Sequence, residues 1–201
     1  MIYLYSGTPG SGKSLHQAKE MITFLQRKRP IIANYQISPE YVKRYRGLFY
    51  YLPFDKLEPD ILTSFARCYW KGKKFHEGHI KLFLDESQLM FNARSWSQQG
   101  RSEWLQFFTQ HRKYGYDIYL IAQFDRMIDR QIRSLIEYEV IHRKVSNYGF
   151  FGWILSLIFG GKLFVAVESW YPLSQKIGSS FYIGTPKLWN MYDSYLDFSA
   201  K

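Results

Sequence analysis

Eight residues near the N-terminus, Gly7-Thr8-Pro9-Gly10-Ser11-Gly12-Lys13-Ser14, follow the spacing G-x-x-x-x-G-K-S. Each fixed position has a physical task. Gly7, Gly10 and Gly12 let the backbone turn tightly, so that its N–H groups converge on phosphate oxygens. Lys13 sets a positive charge against the β- and γ-phosphates, and Ser14 offers a hydroxyl to Mg²⁺. A helix starting near Lys13 adds the partial positive charge of its N-terminus. The segment Gly7 to Leu15 therefore reads as a nucleotide-binding loop for ATP or GTP with Mg²⁺.

Such a loop needs a second metal anchor at the tip of a nearby strand. Leu82-Phe83-Leu84-Asp85-Glu86 has that form, an apolar run ending in two carboxylates. Asp85 is the candidate to hold the metal with Ser14. Glu86 is the candidate general base for an attacking water, which favours hydrolysis over transfer to a small acceptor. Gln123 ends a further apolar run, Ile118–Ala122, where a polar side chain can meet the γ-phosphate or the water. Arg126 and Arg130 follow, with Arg133, as one basic stripe at helical spacing. They are candidates for an arginine finger acting on a neighbouring subunit's nucleotide, with Arg94, Arg101 and Arg112 as rivals. The triplets His111-Arg112-Lys113 and His142-Arg143-Lys144 suit either phosphate contact or a solvated surface. In Tyr41–Arg46 and Tyr69-Trp70-Lys71, aromatics interleave with charge as in grips on single-stranded nucleic acid. Core aromatics beside surface charges explain them more simply.

These groups need a frame. Met1 to Ser6 reads as a strand leading into the loop, and Leu15, Ala18, Met21, Ile22 and Leu25 have helical spacing. Strands are expected at Ile31–Tyr35, Ile80–Leu84, Asp117–Ala122 and Tyr138–Val145. Helices are expected at Ile61–Trp70, Ser102–Tyr114 and Asp129–Ile136, with 38–62 irregular. Strands alternating with helices imply an α/β fold: a P-loop NTPase with a mainly parallel central sheet flanked by helices. Phe150 to Val167 is apolar, but its uninterrupted part is too short to cross a bilayer. Gly160-Gly161 between two apolar halves suggests a C-terminal β-hairpin extension, Trp153–Phe159 with Leu163–Trp170, with a buried helix or a membrane-touching element as the alternatives. Beyond Pro172 little structure is expected. The division is a core over 1–148 and a hairpin and tail over 149–201, packed on the core.

The 201 residues carry 27 Lys and Arg against 17 Asp and Glu, a net charge of +10, which attracts polyanions or anionic membranes. Cys68 is the one cysteine. That excludes an intrachain disulfide and a cysteine zinc site, and suits a reducing compartment. No signal peptide is visible.

Three blocks in order resemble the zonular occludens toxin (Zot) domain family, assembly and export ATPases of filamentous phages. They are Ile2–Leu15 (IYLYSGTPGSGKSL), Leu82–Phe91 (LFLDESQLMF) with Arg94, and His111–Gln123 (HRKYGYDIYLIAQ) followed by Asp129–Leu135 and Tyr138–Lys144. The resemblance implies an ATPase domain on the cytoplasmic face of the host inner membrane, acting as single-stranded phage DNA leaves with its coat. It implies nucleotide binding by Lys13 and Ser14, metal binding and hydrolysis by Asp85 and Glu86, and a sensor role for Gln123. The expected partners are further copies in a homo-oligomer such as a ring, phage DNA or coat proteins, and inner-membrane assembly components. Family members carry a transmembrane helix after this domain, so anchoring is expected only through a segment absent from this chain. A small P-loop kinase and a nucleotide-gated, non-catalytic scaffold are the competing readings.

Overall fold

A computed structural model describes residues 1–92 and 100–191. Eight strands form one sheet in the order β3-β2-β4-β5-β1-β6-β7-β8. They are β1 (Ile2–Ser6), β2 (Ile31–Ala33), β3 (Phe49–Tyr51), β4 (Ile80–Leu84), β5 (Tyr116–Ile121), β6 (Tyr138–Lys144), β7 (Leu163–Trp170) and β8 (Gln175–Ile183). From β3 to β6 every pairing is parallel, and β7 and β8 add on antiparallel at one edge. The helices are α1 (Lys13–Gln26), α2 (Pro39–Tyr45), α3 (Pro59–Trp70), α4 (Ser87–Met90), α5 (Arg101–Tyr114), α6 (Arg130–Arg133), α7 (Gly149–Ile158) and α8 (Pro186–Trp189). This is the α/β, mainly parallel P-loop NTPase fold that the strand–helix alternation implied.

The central strands are apolar on both sides, as a parallel sheet covered by helices requires. Ile2 and Leu4 face a core completed by Leu62 and Ala66 of α3 and Phe107 and Phe108 of α5. Tyr5, Phe83 and Tyr119 face the other core, with Leu15, Met21 and Leu25 of α1. The Phe83 and Tyr119 rings stack at 4.4 Å, which holds β4 and β5 in register on that face.

The order of the central strands decides where the chemistry lies. β5 sits between β1 and β4. All three end on the same edge of the sheet, so the segment after β5 emerges between the glycine loop and the acidic tip of β4.

Three expectations need correction. The irregular region 38–62 contains α2 and the edge strand β3; Pro39 opens α2 at a first-turn position where its missing N–H costs nothing. The apolar run before Gly160 is the helix α7 and not a strand. Gly160 and Gly161, at φ 61° and 73°, end that helix instead of turning a hairpin. The Gly160 N–H donates to Leu157 O and the Gly161 N–H to Ser156 O, closing the last turn as left-handed glycines do. The C-terminal hairpin pairs β7 with β8, so the region beyond Pro172, expected to be weakly structured, supplies a nine-residue strand and the short α8.

Candidate functional site

The glycine loop joins β1 to α1. Gly7, Gly10 and Gly12 all take positive φ, at 143°, 75° and 94°. At Gly7 a Cβ would stand 2.6 Å from the His142 carbonyl oxygen, and at Gly12 2.6 Å from the Phe164 ring. Glycine is therefore required twice over, for conformation and for space. Among the described residues, the amides of Gly10, Gly12, Lys13, Ser14 and Leu15 donate to no protein acceptor. The Ser11 hydroxyl is buried without a partner. Unpaired donors gathered at a helix N-terminus form an anion cradle, and this is the feature against which a triphosphate fits.

Lys13 folds back on the loop, its Nζ donating to the carbonyls of Gly7 at 2.6 Å and Thr8 at 3.3 Å. Burial lowers its pKa, and the carboxylates of Asp85 and Glu86 oppose that shift. Lys13, Ser14, Asp85, Glu86 and Gln123 line one cavity of about 330 Å³, with Phe164, Leu188 and Trp189 as its apolar wall. The five side chains singled out from the sequence thus meet in space, although Lys13 and Gln123 are far apart in the chain.

Asp85 is fixed through its backbone. The Asn34 side chain accepts from the Asp85 N–H at 2.7 Å and donates to the Asp85 carbonyl at 2.9 Å. The Asp85 carboxylate in turn accepts from the Glu86 N–H at 2.9 Å. Glu86 takes the left-handed conformation, φ 49° and ψ 41°. That strain, about 1–3 kcal/mol for a residue with a side chain, is tolerated where the fold holds both sides. Ser87 does part of the holding, donating to Leu84 O at 2.6 Å and accepting from the Ile121 N–H at 3.0 Å. Gln88 donates to the Glu86 carboxylate. The Gln123 carbonyl accepts from the Gly7 N–H at 3.1 Å, tying the end of β5 to the start of the loop.

Two supports were not anticipated. One is a pair of buried histidines beneath the loop. His16 Nδ1 lies 2.8 Å from His142 Nε2, and His142 Nδ1 lies 3.1 Å from the Ser6 carbonyl. Only a donor satisfies that carbonyl, so His142 carries its proton on Nδ1 and accepts from the Nδ1–H of His16. Burial pushes the pKa of His16 down to about 3 and that of His142 to about 4. The other is the C-terminal hairpin. The Tyr182 hydroxyl donates to Gly12 O at 3.0 Å, and the Tyr182 and Phe164 rings stack beside Gly12. His16, two residues past Ser14, and His142, in the second basic triplet, give only a weak sequence signal of the pair. The hairpin contacts had none, because they depend on strand pairing far from the loop.

Arg126 and Arg130 are exposed, line no part of the loop cavity, and have no ion pair among the described residues. Arg133 faces Asp125 at 3.8 Å and Arg101 pairs with Asp129 at 3.3 Å. Arg112 pairs with Glu77 and Glu137 at the opposite edge of the sheet, so the first basic triplet is remote from the loop. Arg94 lies outside the described residues. The aromatics of the two mixed stretches serve the fold: the Tyr41 hydroxyl donates to Lys187 O and the Trp70 indole to Tyr114 O.

With this geometry in view, likeness to known proteins becomes informative. The family described as Zonular occludens toxin (Zot) matches residues 1–195. The chain belongs to the Zot family. The Zot chain is 34% identical over 129 residues to the Gene 1 protein of Enterobacteria phage fd, covering 59% of this chain and 37% of that one. It is 28% identical over 169 residues to the Gene 1 protein of Salmonella phage IKe, covering 81% and 46%. The chain therefore spans less than half the length of these curated relatives. Among solved structures it resembles the N-terminal domain of zonular occludens toxin from Neisseria meningitidis, with TM-score 0.57, 21% identity and coverage of 96% and 98%. It also resembles the DNA-packaging ATPase of Sulfolobus turreted icosahedral virus, with TM-score 0.56, 13% identity and coverage of 90% and 96%. At those identities the structural likeness establishes the fold.

Proposed function

We propose that this Zot chain is an ATP-hydrolysing motor domain that acts in filamentous phage assembly and export at the inner membrane. One observation carries the reading: Lys13, Ser14, Asp85, Glu86 and Gln123 share a single cavity. The unpaired amides and Ser11 hydroxyl would bind the triphosphate, and Lys13 would leave the Gly7 carbonyl to meet the β- and γ-phosphates. Ser14 and Asp85 would hold Mg²⁺, which neutralises charge on the phosphates when bound. Glu86 would take a proton from the attacking water, and Gln123 would orient that water. Arg126 and Arg130, exposed and without an ion pair among the described residues, would serve a neighbouring subunit's site in a homo-oligomer.

The phage part of the reading rests on the Gene 1 relatives, whose products come from filamentous phages, and the DNA part on the packaging ATPase neighbour and the +10 charge. Among the described residues no helix is long and apolar enough to cross a membrane. Spanning the inner membrane would accordingly fall to a segment outside the described residues.

The test is ADP formation from ATP with no added acceptor, which also separates hydrolysis from the kinase reading. Hydrolysis that disappears in Lys13→Ala is expected, together with loss of phage release when the whole protein carries that change. Equal turnover in Lys13→Ala would sink the proposal, and ATP binding with no turnover in any assembly state would favour the scaffold.

A further inference from the structure

Among the described residues, α7 has no apolar partner for most of its surface. Its sequence is Gly-Phe-Phe-Gly-Trp-Ile-Leu-Ser-Leu-Ile. Phe151 is 84% exposed, Ile158 72% and Phe150 70%, with Trp153 and Leu157 more than half exposed. Only Gly152 and Ser156 are buried. At about 100° per residue the exposed apolar positions sweep an arc of roughly 200°, while the covered side carries the two smallest side chains. A helix that docks in a protein groove needs one apolar stripe and keeps a polar back. An apolar arc this wide matches a solvent that is itself apolar.

The surrounding charges agree. From Val140 to Val167 the chain has no Asp or Glu, while Arg143 and Lys144 stand before the helix and Lys162 follows it. Basic residues beside an apolar element draw it to anionic headgroups. Tyr148 and Trp153, both exposed, are the aromatic types that settle at the headgroup level. Ten residues make a helix about 15 Å long, half of what is needed to cross the hydrocarbon core. It can enter one leaflet and no more.

We infer that α7 is a membrane-dipping element that inserts its Phe150, Phe151, Leu157 and Ile158 face into one leaflet of an anionic bilayer. This gives the chain a membrane contact of its own, beyond any anchor outside it, and does not depend on hydrolysis. It also brings lipid close to the nucleotide site. α7 lies between β6 and β7 at the sheet edge that carries the glycine loop. A cavity of about 420 Å³ runs from Gly7, Thr8 and Gln123 to Asn147 and Tyr148 at the foot of the helix.

The experiment is flotation of the full chain with vesicles of phosphatidylethanolamine and phosphatidylglycerol, against vesicles of phosphatidylcholine alone. The chain is expected to float with the anionic vesicles and more weakly with the neutral ones. Phe151→Glu with Ile158→Glu should weaken flotation at least about tenfold, since charges oppose entry into the apolar layer. Both sites are exposed, so ATP affinity should stay unchanged. Lys13→Ala should float as the parent does, so a failed ATPase reading and a failed membrane reading give different results. The inference is overturned if the parent stays with the aqueous fraction, or if the double variant floats equally well. It is also overturned if the double variant dissociates an oligomer and neither form binds lipid, which would make α7 a contact between copies.

Discussion

Asn34 is the residue on which the acidic strand tip leans. Buried at the end of β2, it satisfies both the N–H and the carbonyl of Asp85. Asn34→Ala removes both of those buried hydrogen bonds, an expected cost of about 1–3 kcal/mol in urea unfolding. The same variant should weaken nucleotide binding with Mg²⁺ more than without it, because the displaced group is the proposed metal anchor. Stability unchanged from the parent would contradict the clamp. His16 and His142 allow a second test at this scale. Both are held below the ordinary imidazole value of about 6.5. Between that value and about 4 the unfolded chain binds protons that the native chain refuses, so stability falls as pH drops through this window and is flat above it. At pH 5 the loss is about 2 kcal/mol for each ring. His16→Phe should make the slope of unfolding free energy against pH shallower in this window, and a slope unchanged from the parent would contradict the neutral pair.

At the scale of elements, the C-terminal hairpin is a wall of the candidate nucleotide site. Tyr182 of β8 reaches the Gly12 carbonyl, and Phe164 of β7 occupies the space that a side chain at Gly12 would need. Tyr182→Phe removes the hydroxyl alone. It should cost about 1 kcal/mol of stability and weaken ATP binding measured by calorimetry, whereas unchanged affinity would show that the hairpin supports the loop without shaping it. The same elements show what sequence alone can and cannot tell. The loop was legible because its glycines, Lys13 and Ser14 are contiguous and each has one job. β4 and β5 were legible because apolar runs ending in Asp85-Glu86 and Gln123 are local patterns. The run Trp153–Phe159 reads as a strand but folds as part of α7, because aromatic and branched residues suit both states, and Gly160-Gly161 ends a helix as readily as it turns a hairpin. β8 was missed because its Gly178 and polar Ser179-Ser180 weaken the strand pattern, and pairing with β7 supplies what local propensity lacks. Asn34, His16 and His142 could not be assigned, since their partners lie across the sheet.

For the whole molecule, the arginines point outward. Arg126 and Arg130 lie outside the chain's own cavity, and under the proposed function the shared site would form between copies. Hydrolysis per chain should therefore rise with protein concentration, and Arg126→Ala with Arg130→Ala should abolish that rise while leaving ATP binding intact. A rate per chain independent of concentration would assign catalysis to the single chain. The +10 charge and the exposed α7 belong to this scale too, because both suit the large anionic partners proposed for the molecule. The central claim is that the carboxylate of Glu86, held at the strand tip beside the phosphate cradle, activates water. The measurement is ATP turnover by Glu86→Gln with ATP binding followed in parallel. The account predicts binding within a few-fold of the parent and turnover lower by at least about a hundredfold. Turnover at the parent rate would contradict it.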